Sequence, residues 1–147
     1  LTDLEFESPN VVTDHCGTCT RCIDACPTQA LKPYEIDAQR CISYLTIETK
    51  EAIPLEFADK LEKWAFGCDI CQEVCPWNRF ATPTLPDEFP ATPEVLNFTL
   101  SDWLALTNTQ HKKRLAASPL SRVPRKKWLQ NLHSALKIAF PEDNTFV

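Results

Sequence analysis

The chain has 147 residues, 44% apolar and 24% charged, an ordinary balance for one globular domain or a small domain with an appendage. No apolar run approaches the ~20 residues that a membrane span needs, which excludes a membrane-spanning helix within these residues. The net charge of −5 is unevenly spread: residues 1–102 hold eighteen Asp/Glu against seven Lys/Arg, whereas residues 103–141 hold eight Lys/Arg and no acid.

Taken in order, Leu4-Glu5-Phe6-Glu7 alternates apolar with acidic and predicts a short edge strand before Ser8-Pro9-Asn10 breaks it. The run from Cys16 to Pro27 follows. Thr28–Leu31 is expected to make one helical turn stopped by Pro33, with Tyr34–Asp37 extended and leading to Cys41. Helix returns over Ile42–Glu48. A second helix is predicted from Pro54 to Trp64, with Leu55, Ala58, Leu61 and Ala65 on one face and Gly67 ending it. Pro83, Pro86, Pro90 and Pro93 forbid regular structure over 81–93, which reads as an extended strap. Ser101 is the expected N-cap of a short helix to Leu106, and another covers Gln110–Ala117. The last helix is expected from Pro124 to about Phe140. Trp128, Leu132, Leu136 and Phe140 form its buried stripe, and Lys126, His133 and Lys137 stay in water.

The cysteines carry the chemistry. Cys16, Cys19, Cys22 and Cys26-Pro27 give C-x2-C-x2-C-x3-C-P, the bacterial iron–sulfur spacing in which the fourth thiolate serves the neighbouring cluster. One tight loop can wrap three corners of a cubane, so the next cysteine turns away. The second group, Cys68, Cys71 and Cys75-Pro76, is one thiolate short, and Cys41 supplies it from 26 residues upstream. The crossover rule then predicts Cys16, Cys19, Cys22 and Cys75 on one [4Fe-4S] cluster and Cys26, Cys41, Cys68 and Cys71 on the other. Zinc motifs seldom place a third cysteine at the same step, and the spacing also disfavours a disulfide scaffold. His15, His111 and His133 read as surface or capping residues, with His15 beside the first cysteine as a second candidate contact to that site. The fold class expected is α+β: a two-[4Fe-4S] ferredoxin-like core with inserted helices and a basic, mainly helical C-terminal extension. Its parts are a cluster domain over 1–80, a strap over 81–98 and the extension over 99–147. The acid-free stretch fits either a solvated helix face or an anionic partner. The chain contains no methionine and is expected to be a fragment lacking something upstream.

Three blocks resemble a known family. They are the first cysteine run with Pro27-Thr28-x-Ala30-Leu31, then Arg40-Cys41-Ile42-Ser43-Tyr44-Leu45-Thr46-Ile47-Glu48, then Gly67-Cys68-Asp69-x-Cys71-x-x-x-Cys75-Pro76-Trp77-Asn78. Together they look like the ferredoxin-type half of the epoxyqueuosine reductases, closely over residues 1–80 and loosely through Ser118-Pro119-Leu120-Ser121-Arg122. The resemblance implies a cytoplasmic, cobalamin-dependent oxidoreductase that reduces epoxyqueuosine to queuosine in tRNA. The two clusters would be fed by an external electron donor, and the corrinoid would sit largely on an N-terminal domain absent here. Alone, this part would be inactive. The resemblance implies further that Ser43 and Asp69 face the corrinoid and that Arg122, Arg125, Lys126 and Lys127 meet tRNA phosphates. A free-standing two-cluster ferredoxin and the cluster half of a corrinoid reductive dehalogenase remain alternatives.

Overall fold

The computed structural model describes residues 3–5, 7, 13–82 and 93–137. Most of the structure is helical, with one two-stranded antiparallel sheet. The chain runs through α1 (Arg21–Ala25), β1 (Leu31–Lys32), β2 (Glu35–Ile36), a 3-10 turn (Ala38–Arg40) and a π-helix (Tyr44–Glu48). It continues through α2 (Leu55–Ala58), α3 (Ile70–Glu73) and a 3-10 turn (Pro76–Phe80). After the strap come α4 (Pro93–Leu96), α5 (Leu100–Ala105), α6 (Asn108–Leu115), a 3-10 turn (Pro119–Arg122) and α7 (Arg125–Leu136).

Several local expectations are corrected. No helical turn forms at Thr28–Leu31, because Gln29 takes a left-handed φ of 53° and the chain enters β1, paired Leu31 to Ile36 and Lys32 to Glu35. Residues 3–5 and 7 hold no strand, and Phe6 lies outside the described residues. The helix expected over Pro54–Trp64 stops at Ala58, since Glu62 is also left-handed at φ 51°. Helix α5 is capped by Thr99 and not by Ser101. The Thr99 hydroxyl receives Asp102 N–H and the Asp102 carboxylate receives Thr99 N–H, a reciprocal box that satisfies two orphan donors. Thr107 and Gln110 repeat the device on α6. Helix α7 ends at Leu136 with Lys137 left-handed at φ 53°, so its stripe is shorter than expected. Leu136 is half-exposed and Phe140 lies outside the described residues, as does most of the strap.

Two apolar clusters hold the chain. Ile42, Leu45, Ile53, Phe57 and Leu61 form the first, under the cysteine loops. Trp103, Leu106, Leu115, Val123, Trp128, Leu129 and Leu132 form the second, in the C-terminal helices. The second also gathers Ile47, Ala65 and Phe66 from the cysteine-bearing half, so the extension is packed onto that half. Trp103 meets Trp128 edge-on at 5.0 Å and Phe98 at 4.9 Å, a geometry favoured by ring quadrupoles.

His111 and His133 are both buried, against the expectation that they lie on the surface or in caps. Burial, reinforced by the nearby Arg125 charge, pushes the His111 imidazole below its ordinary value. A histidine held neutral in the folded state contributes stability above its unfolded value near pH 6.5, and that stability is lost as pH falls through it. The melting temperature of the helical part, read by tryptophan fluorescence, is therefore expected to drop between pH 7.5 and 5.5. His111→Gln should shrink the drop; an unchanged pH dependence in that variant would refute the assignment.

Candidate metal centre

The two cysteine loops are built alike. In the first, the Asp14 carboxylate receives Cys16 N–H at 2.8 Å, Gly17 N–H at 3.3 Å and the Tyr34 hydroxyl at 2.6 Å. These bonds hold Asp14 below the usual carboxylate range, the Tyr34 bond first. Gly17 takes φ +53° to make the turn, and Cys19 N–H closes it on Cys16 O at 3.0 Å. Helix α1 begins after Thr20 (φ −118°, ψ 8°) and releases the chain at Cys26 (φ −70°, ψ 111°). Helix α3 begins after Asp69 (φ −109°, ψ 8°), and Cys75 leaves extended at φ −69°, ψ 122°. Cys19, Cys22 and Cys26 thus have backbone counterparts in Cys68, Cys71 and Cys75, and α1 packs against α3.

Two hollows result. Cys16, Cys19, Cys22 and Cys75 line one, with His15, Arg21, Pro76, Trp77 and Arg79 on its rim. Cys26, Cys41, Cys68 and Cys71 line the other, walled by Ala30, Leu31, Ile36, Ile42 and Ile70 without a charged side chain. Each loop lends one cysteine to the hollow of the other. Cys16 and Cys19 are exposed, while the four cysteines of the second hollow are partly buried.

Electrostatics follows the same division. Desolvation pushes the Cys16 thiol up, and Asp14, Cys22, Cys75 and Cys19 add to it in that order. Desolvation also raises Cys68, partly offset by Ile70 N–H, and Cys71, Cys41 and Cys26 raise it further. Cys71 is raised by desolvation and then by Cys41, with smaller contributions from Cys22 and Cys26. Cys26 alone moves down, because hydrogen bonds from Thr28, Ala30 and Leu31 outweigh its burial; Ala30 N–H reaches its sulfur at 3.3 Å. Four thiolates that repel one another around a shared hollow call for a polycationic group between them.

All eight cysteines are free thiols. Among the described residues no three His, Cys, Asp or Glu side chains converge closely enough to hold a single metal ion. Sulfurs spread around a space, and not drawn to one point, suit a multi-atom cluster and do not suit tetrahedral zinc with its ~2.3 Å Zn–S bonds.

A buried polar network braces the second hollow from behind. Thr46 donates its hydroxyl to Ile42 O at 2.7 Å and receives Gly67 N–H at 3.0 Å. Asn131 of α7 donates from Nδ2 to Thr46 O at 2.6 Å and to Ala65 O at 3.0 Å, and both Thr46 and Asn131 are fully buried. The π-helix displaces carbonyls from the usual i+4 ladder, and Asn131 takes up the one at Thr46. A Cβ on Gly67, which has φ +72°, would stand 4.0 Å from Ser43 Oγ, so Ser43 lies over the Gly67–Cys68 corner. Asp69 is exposed beside it.

The basic residues singled out by the sequence diverge. Arg122 is exposed and pairs with Glu48 of the π-helix, and Lys126 is exposed. Arg125 is half-buried and donates to Leu104 O at 3.0 Å. Lys127 is buried, its Nζ donating to Glu51 O at 2.6 Å, and desolvation pushes its pKa down. It is directed inward. Asn131, Thr46, Asp14 and Tyr34 escape the sequence reading; only Asp14, two residues before Cys16, carries a local signal, that of an Asx-type cap.

A family of 4Fe-4S double cluster binding domains matches residues 15–78. The epoxyqueuosine reductase of Cellulophaga algicola is 51% identical over 123 residues, covering 83% of this chain and 40% of the relative. That of Pseudomonas aeruginosa is 46% identical over 125 residues, covering 84% and 35%. The solved epoxyqueuosine reductase of Bacillus subtilis superposes with a TM-score of 0.77 at 41% identity, over 89% of this chain and 35% of that one. A solved epoxyqueuosine reductase with a tRNA-Tyr epoxyqueuosine-modified tRNA stem loop gives 0.76 at the same identity and coverage. The chain spans about two fifths of the length of the curated relatives it matches.

Proposed function

Because the chain belongs to the epoxyqueuosine reductase family, we propose that it is the electron-relay part of such a reductase, serving reduction of epoxyqueuosine to queuosine in tRNA. The observation that carries this is the pair of four-cysteine hollows sharing two loops. Cys16, Cys19, Cys22 and Cys75 would hold one [4Fe-4S] cluster, and Cys26, Cys41, Cys68 and Cys71 the other. When bound, the two clusters supply one-electron storage and transfer, and a cobalamin supplies the reducing metal.

The chain's own residues orient and tune. Asp14 fixes the first loop through two main-chain N–H groups. Ala30 N–H stabilises negative charge on the Cys26 sulfur. Apolar Leu31, Ile36, Ile42 and Ile70 keep water from the second hollow. Ser43 and Asp69 are the residues proposed to face the corrinoid, the former over the Gly67 turn and the latter open to solvent. A cluster unit to about residue 80, a strap over 81–98 and a helical extension from 99 make up the proposed organisation, with the corrinoid mainly on a partner domain.

The extension is the proposed tRNA-facing part. Its outward cations are Arg122 and Lys126, with Arg125 half-turned in, while Lys127 serves the packing. Protein prepared without oxygen is expected to carry about eight iron and eight sulfide per chain. One zinc without sulfide would overturn the relay reading. A gel shift with tRNA should weaken steeply with salt and weaken further in Arg122→Ala/Lys126→Ala; salt-independent binding, or none, would remove the tRNA-facing role and leave the relay.

A further inference from the structure

The two hollows differ in their surroundings, and the difference gives the relay an entrance. The second is apolar-walled and backed by the Asn131 network. The first opens outward: Cys16 and Cys19 are exposed, and its rim carries Arg21 and Arg79, both exposed, with no carboxylate. Beside them stands an aromatic surface that no other described element covers. Trp77 is 50% exposed and Phe80 63%. The surface is rigid: Trp77 Nε1 donates to His15 O at 3.2 Å across 62 residues of sequence, and its ring packs on His15 at 5.4 Å and on Phe80 at 5.8 Å. The Arg79 guanidinium lies over the Phe80 ring at 4.6 Å.

Fixed, exposed aromatic rings cost little entropy to bury and are enriched at protein interfaces, and arginine is enriched with them. The nearby acids are few or already engaged. Asp14 is spent on the loop and on Tyr34, Asp24 receives the Thr20 hydroxyl, and Glu73 lies in the adjoining depression against both arginines. In a chain of net charge −5, a rim with two guanidinium groups is a local reversal of sign.

We propose that this face, Trp77 and Phe80 flanked by Arg21 and Arg79, docks an acidic one-electron carrier protein, which delivers its electron into the site formed by Cys16, Cys19, Cys22 and Cys75. The proposal rests on the relay reading and specifies its donor. Each productive encounter oxidises the carrier by one electron and reduces this site by one, with no bond made or broken. The opposite end, at Ser43 and Asp69, remains clear for the acceptor.

The test uses the cluster-loaded protein, with a reduced acidic plant-type [2Fe–2S] ferredoxin as probe under anaerobic conditions. Affinity is measured by titration at low and physiological salt, and reduction by stopped flow against dithionite. Arg21→Glu/Arg79→Glu is expected to weaken ferredoxin binding about ten-fold at low salt and to flatten its salt dependence. The ratio of the ferredoxin rate to the dithionite rate should fall by a similar factor, and Arg21→Lys/Arg79→Lys should retain most of both. Trp77→Ala/Phe80→Ala should weaken binding at both salt concentrations. If the charge-reversed protein binds ferredoxin like the parent, or loses both rates equally, the docking face is wrong while a coloured, dithionite-reducible protein leaves the relay standing. A protein without iron and sulfide removes both.

Discussion

Cys22→Ala is expected to lose its brown absorbance and the fold of the cysteine-bearing half together. Cys22 sits on α1, which has no fully buried side chain of its own and packs against α3 across the space between the two hollows. With only five and four residues, neither helix is long enough to be stable alone, and the apolar cluster beneath holds five buried side chains. Without a polycationic group the thiolates repel, so loss of one ligand is felt through both loops. Absorbance near 400 nm, iron content and resistance to limited proteolysis would be compared with the parent. A colourless variant that stays compact and protease-resistant would show that the fold does not depend on cluster assembly.

Asn131→Ala should be the most damaging change away from the cysteines, costing about 2–4 kcal/mol by leaving two buried carbonyls without a donor. The effect should be directional. Thr46 bonds Gly67 N–H directly ahead of Cys68, so the second site should yield its iron to a chelator several-fold faster than in the parent. The first site should change little. Asn131→Asp offers oxygen where a donor is needed and should be no better than alanine. Chemical denaturation and a timed chelator challenge would check both effects. If both variants stayed within about 0.5 kcal/mol of the parent, the size of an ordinary surface change, the bracing role would be refuted.

The site was legible because cysteine spacing is a geometric statement. Three thiols at intervals of three and a fourth beyond them wrap a loop around one hollow and pass a residue to the next, and the four-cysteine linings have that layout. The network behind the site was not legible. Asn131 lies 85 residues from Thr46, and an asparagine within an amphipathic helix carries no local sign that it is an inward-facing donor. Lys127 misleads for a related reason. Its position reads as a solvated helix flank, yet its stem is buried and its ammonium satisfies a loop carbonyl, as long cationic side chains can. The short cysteine-half elements were also opaque. Left-handed Gln29 and Glu62 end what propensity would have continued, and neither residue type announces that conformation.

The exchange of cysteines between loops also constrains how the protein can be made. As the chain leaves the ribosome, neither hollow has its four sulfurs until Cys71 has emerged, and the first must wait for Cys75. Both therefore become complete within a few residues of each other, and a nascent chain halted after Cys41 offers a loader two unfinished sites and no finished one. Cofactor insertion is thus a late and nearly simultaneous event, and a gene split anywhere between Cys26 and Cys68 would leave each product with neither site whole.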